Sequence, residues 1–183
     1  MGSVRRFLET RLKLKVNAEK SAVVPTAQLS FLGFAFKGAR IVWSEKSLQR
    51  FQKRIRELTG RSWGVGMEYR IRELASYMRG WIGYFGISRT YAAVRQLDHW
   101  IRRRLRCCYW KQWKTRSNRI RQLLRLGLNR RDAILHGLVS HGCWAMSKTP
   151  VINQALSVSW LKLQGLPSLT DQWSAIHYPT KVR

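Results

Sequence analysis

Acidic residues are scarce: nine Asp and Glu face 35 Lys and Arg in 183 residues, for a net charge of +26. So much like charge repels itself, which excludes a folded chain at electrostatic ease without a polyanionic partner. Cysteine is also sparse. Cys107 and Cys108 are adjacent, Cys143 is distant and no C-x-x-C pair occurs, so a disulfide framework is excluded and reduced, packed thiols are expected. His136, His141 and Cys143 lack the second ligand pair that a zinc site needs, and no G-x-S-x-G elbow accompanies the Ser, His and Asp residues. No metal and no hydrolytic centre is expected. Long apolar runs are missing too: the uncharged stretch Ala133 to Ser147 has only 15 residues, with two His and two Gly. A membrane span needs roughly 20 apolar residues, so no membrane partner is expected. The opening MGSVRRFLETRLK has no apolar signal core, and a cytoplasmic, non-secreted protein is the expectation.

What the chain does hold is a hydrophobic content of 45%, enough for one compact domain or two small ones. Nine Trp, six Tyr and six Phe stand among the cations. Aromatic faces stack on unpaired bases while Arg and Lys hold phosphates, a combination that points to RNA.

The apolar spacing of Val4, Phe7, Leu8 and Leu12 predicts a short helix, and LKLKV at 12–16 then alternates as a strand does. QLSFLGFAF at 28–36, a glycine in KGAR, and RIVW at 40–43 predict a β-hairpin. Ser44 is a plausible cap for a helix carrying Leu48, Phe51, Ile55 and Leu58 and stopping at Gly60. A second helix over 68–85 presents Ile71, Leu74, Met78, Trp81 and Phe85, and Gly80 and Gly83 within it predict a close helix contact or a bend. The third, over 90–114, aligns Val94, Leu97, Ile101, Leu105 and Cys108, which leaves most of its arginines for the outer faces. A helix, a glycine break and a restart follow over 115–141, then a helix from Pro150 to Gly165 and a polar tail. The fold class is therefore mainly α with a small N-terminal β element: a hairpin, a three-helix bundle and a smaller helical C-terminal region.

Several strings resemble a known family. LKLKVNAEKS (12–21) and FLGF (31–34) resemble the last blocks of the reverse transcriptase palm of group II intron-encoded proteins. YMRGWIGYF (77–85) and LDHWIRRRLRCCYWKQWK (97–114) resemble that family's maturase-specific region, domain X, which serves as the polymerase thumb; SHGCWAMSKTP and ALSVSWLKLQGLPSLTDQW resemble the DNA-binding-like region after it. The resemblance implies three segments: 1–43 as palm remnant, 44–114 as thumb bundle and 115–183 as basic helical region. It further implies group II intron RNA as partner, with template–primer or target DNA as additional ligands. The family's polymerase site rests on a Tyr-Ala-Asp-Asp motif and an earlier Asp, because a metal pair needs clustered carboxylates. The aspartates here, Asp98, Asp132 and Asp171, are far apart. No catalytic residue, no cofactor and no polymerase activity of this chain alone are expected, with Mg2+ belonging to an intact polymerase or to the intron RNA.

The expected nucleic-acid contacts are Lys53, Arg54, Arg102, Arg103, Arg104, Arg106, Lys111, Lys114, Arg116 and Arg119, since the 89–131 segment holds 14 Lys and Arg against the single acid Asp98. Trp100, Trp110 and Trp113 are expected mainly to anchor packing, with room for one to stack on a base. By resemblance, Asn17 and Lys20 would lie near the primer of an intact enzyme; Gly80 and Trp81 are expected to be structural, for the close packing that a glycine allows. The expected function is maturase-like RNA binding. The alternatives are a thumb acting with a separate palm in RNA-directed DNA synthesis, and an inactive remnant.

Overall fold

A computed structural model of the chain describes residues 2–17 and 24–179. The first helix, α1 (Gly2–Thr10), leads through an irregular segment to a 3-10 turn at Thr26–Gln28. Three short strands follow, β1 (Ser30–Phe31), β2 (Phe34–Lys37) and β3 (Arg40–Trp43), antiparallel and in that order. Lys37 pairs with Arg40, so Gly38 and Ala39 form the expected two-residue turn, with Gly38 at φ +61°. Residues 12–16 do not form the expected strand. Alternation makes a strand only where a neighbour supplies ladder bonds, and among the described residues this segment pairs with none.

The hairpin is fastened to the helices by its turns. Gly33, at φ +84°, directs its carbonyl toward the next helix, where it accepts from Ser44 N and Ser47 Oγ, both at 2.9 Å. Trp43 Nε1 donates to Phe85 O at 3.0 Å, and the Trp43 ring meets Trp81 edge-on at 4.8 Å between centroids.

The helices α2 (Glu45–Leu58), α3 (Met67–Phe85) and α4 (Tyr91–Gln112) make the expected bundle. Ser44 caps α2 by accepting from Ser47 N. The predicted stripes face inward: Phe51, Ile55, Leu74, Met78, Val94, Ile101 and Leu105 are all fully buried. Burial of a side chain of this kind contributes about 1.5–3 kcal/mol, so these stripes dominate the stability of the bundle. Gly80 and Gly83 give a different result from the expected close contact. A methyl group at either would meet open space, and α3 continues through both.

Helices α5 (Arg116–Arg125) and α6 (Arg130–Leu138) form a hairpin, broken where expected at Gly127, with Asn129 capping the restart. The close approach expected at Gly80 is found here instead, because Gly137 lies directly on Ile120 of α5. Short helices α7 (Cys143–Met146), α8 (Pro150–Ala155) and α9 (Val158–Leu163) follow. The single helix expected over 150–165 is thus two. Ser157 takes an extended conformation and caps α9 through Trp160 N, a local bond that competes with helix continuation.

The expected polar tail is also corrected. Residues 169–177 form α10 (Leu169–His177), which buries Leu169 and Trp173. Trp173 Nε1 donates to Ser88 O at 2.8 Å. Its first turn is held by Asp98 of α4, which accepts from Leu169 N (3.0 Å), Thr170 N (3.1 Å), Thr170 Oγ1 (2.8 Å) and Ser168 Oγ (3.1 Å). A carboxylate at a helix start satisfies free N–H groups and complements the helix dipole. One hydrophobic cluster runs from Trp43 to Trp173 and crosses the 43/44 and 114/115 boundaries.

Candidate nucleic-acid interface

The arginines of α4 divide by face. Arg102 and Arg106, expected on an outer face, are buried instead. Arg102 lies 3.5 Å from Asp98, and Arg106 Nε donates to Leu156 O at 3.0 Å. The spacing that gives Leu97, Ile101 and Leu105 to the bundle gives Arg102 and Arg106 to the C-terminal helices, which cover a second face of α4. Burial, with Arg102 close by, pushes the Arg106 guanidinium down to about 10. Arg103 and Arg104 are half-buried. Arg103 lies over the Trp144 ring, 3.6 Å from its centroid, and Arg104 donates to Thr59 Oγ1. Trp110 and Trp113 are buried as expected, while Trp100 is half-buried with Arg56 and Arg104 over its ring.

Lys53 and Arg54 are exposed on α2, and Arg54 pairs with Glu57 at 3.0 Å in a hollow that Glu73 also lines. Arg116 is exposed at the start of α5. Asn17 lies in the irregular segment after α1, and Lys20 lies outside the described residues. The structure does bring Lys111, Lys114 and Arg119 together. They line a hollow of about 440 Å3 with Arg61 and Arg70; a neighbouring hollow of about 730 Å3 shares Arg61, Lys111 and Arg119 and adds Arg104. No Asp or Glu lines either one among the described residues.

The walls of this groove are built by Arg70, which is buried and donates to Leu58 O (2.8 Å), Gly60 O (3.0 Å) and Trp63 O (2.8 Å). Those bonds fold the 59–66 loop against α3 and set Arg61 at the rim. Arg119 spends two donors on Trp113 O and Val139 O, lies over Trp110 and lines both hollows. Burial, with Arg56 and Arg61 nearby, lowers the Arg104 pKa. A bound anion would relieve that crowding. Arg61 Nη1 also donates to Cys143 Sγ at 3.2 Å. Burial raises the pKa of that thiol, but the bonds from Arg61 and Cys107 outweigh it and hold Cys143 below its ordinary value. Cys107, buried and donating to Cys143, is pushed up to about 12.

Sequence reasoning missed Arg61, Arg70 and Trp144. Arg61 follows the helix stop at Gly60, yet its neighbours Lys111 and Cys143 are fifty and more residues away in sequence, and no local signal links them. Among the described residues there is no group of three or more His, Cys, Asp or Glu placed to hold a metal ion, and no helix is long and apolar enough to cross a membrane.

Residues 48–127, which contain α2 from Leu48 onward, α3 to α5, the loop with Arg61, and Lys111, Lys114 and Arg119, match the model of the family described as "Group II intron, maturase-specific domain". No curated protein matches the chain.

Proposed function

We propose, from the match of residues 48–127 to the family of group II intron maturase-specific domains, that the chain binds intron RNA and favours its splicing-active fold. The observation that carries this reading is the acid-free groove lined by Arg61, Arg104, Lys111, Lys114 and Arg119. Arginine offers a planar fork of donors and lysine a mobile point charge, and both neutralise phosphate. The chain supplies no reacting group in this reading. The chemistry belongs to the RNA and its metal ions, and binding shifts the RNA's conformational equilibrium by its differential affinity for the active shape.

The test is a salt titration of RNA affinity. With about six to ten phosphate contacts, affinity for the intron RNA should fall on the order of 10³ to 10⁵ between about 50 and 200 mM salt. Replacing Lys111 and Lys114 together by Ala should lower the slope by about two. A shallow slope, or equal affinity for random RNA of the same length, refutes specific intron binding.

A second reading is favoured by the uncovered apolar residues Val4, Phe7, Phe31 and Leu32, the last two more than 60% exposed. In this reading they seat a separate palm, and the pair carries out RNA-directed DNA synthesis. Primer extension that appears only on mixing the two proteins supports it; absence of product ends it.

A further inference from the structure

We propose that Trp144 is the stacking platform for one unpaired base of an RNA whose backbone lies along the Arg61–Lys111 groove. The proposal rests on the RNA-binding reading above and adds the place where a base is held. Of the nine tryptophans, only Trp144 is exposed, at 41%. A large ring left in water is an unused contact surface, and this one is braced by Arg103, whose own position is fixed by hydrogen bonds. Arg103 lies over the ring, its Nη2 donates to Trp144 O at 3.3 Å and its Nε to Ser147 Oγ at 3.4 Å. Ser147 Oγ in turn donates to Trp144 O at 2.8 Å. A ring fixed before binding loses little conformational freedom when a ligand stacks on it.

Trp144 also lines a slot of about 210 Å3 with Thr59, Arg61, Arg104 and Cys107. Arg103 covers the ring from one side and is not part of that lining. Arg61 and Arg104 line the larger hollow as well, so the slot and the phosphate track share two guanidiniums. A flat ring beside cations, with no acid lining the slot among the described residues, fits a nucleotide, whose planar base and anionic phosphate are joined by one sugar. An aromatic side chain of a protein partner would match the ring and leave the guanidiniums unsatisfied. Base stacking on an aromatic side chain is tolerant of sequence and requires an unpaired base.

The test compares a fluorescent single-stranded uridine 12-mer with a blunt 12-base-pair RNA duplex. Trp144→Leu should weaken single-strand binding by about 5- to 100-fold and duplex binding less than twofold, with the salt slope unchanged because no phosphate contact is lost. Trp144→Phe, which keeps an aromatic face, should retain most of the affinity. Irradiation of unaltered protein bound to a 5-bromouridine 12-mer should crosslink the peptide containing Trp144, a measurement independent of how any variant folds. Crosslinks confined to other segments, or a Leu variant that binds the single strand like the parent, overturn the proposal. If the parent protein binds neither RNA, the RNA-binding reading falls with it. A steep salt slope with an indifferent Trp144 removes the stacking site alone.

Discussion

Arg70 and Cys143 show how the fold gives like residues unlike roles. Arg70, buried among three carbonyls, shapes a loop, whereas Arg61 in that loop keeps its charge at the rim of the groove. Cys107 and Cys108 are buried with raised pKa values, Cys107 to about 12, while Cys143 is half-buried and held below its usual range. Thiolates, not thiols, react with alkylating agents. Iodoacetamide is therefore expected to label Cys143 first, with a rate that rises at lower pH than for an ordinary thiol, and with Cys107 and Cys108 protected until the protein unfolds. Peptide mapping across a pH series checks this, and preferential labelling of Cys107 would contradict it. At this scale the core was legible in the sequence, because Phe51, Ile55, Leu97, Ile101 and Leu105 recur at helical spacing. The fate of Arg102 and Arg106 was not, since periodicity reveals the face turned to the bundle and is silent about a second covering layer.

Helix ends were the most legible elements. Ser44 and Asn129 announce their caps locally, and Gly127 announces the break between α5 and α6. Helix α10 was missed although Ser168 caps it locally through Asp171 N; the Asp98 carboxylate that also holds its first turn comes from seventy residues upstream. Two glycines give opposite tests of helix packing. Gly80 is exposed within α3 with open space around it, so Gly80→Ala should raise stability by about 1 kcal/mol through helix propensity alone. Gly137 sits on Ile120, and a methyl group added there would stand only 3.1 Å from the Ile120 backbone nitrogen. Gly137→Ala must therefore part α5 from α6 and should lower stability by about 1–3 kcal/mol. Urea midpoints for the two variants decide both signs.

For the whole molecule, +26 of net charge opposes compaction and, in the proposed function, favours RNA association at once. Salt should therefore move two observables in opposite directions. The screening length shrinks from about 30 Å at 0.01 M to about 8 Å at 0.15 M, so the melting temperature should climb over that range in potassium chloride while RNA affinity declines. A melting temperature that falls with added salt would show that specific ion pairs outweigh the general repulsion.

The carboxylate of Asp98 also bears on where the protein can be cut. It belongs by sequence to the segment matching the maturase-specific family, yet its four hydrogen-bond donors come from Ser168, Leu169 and Thr170, well beyond that segment. A fragment ending at 114 or 127 would keep this anion beside Arg102 and discard every donor that satisfies it. The boundary of the family likeness is thus not a boundary of physical self-sufficiency, and the shortest piece that preserves α4 as it stands here extends through α10.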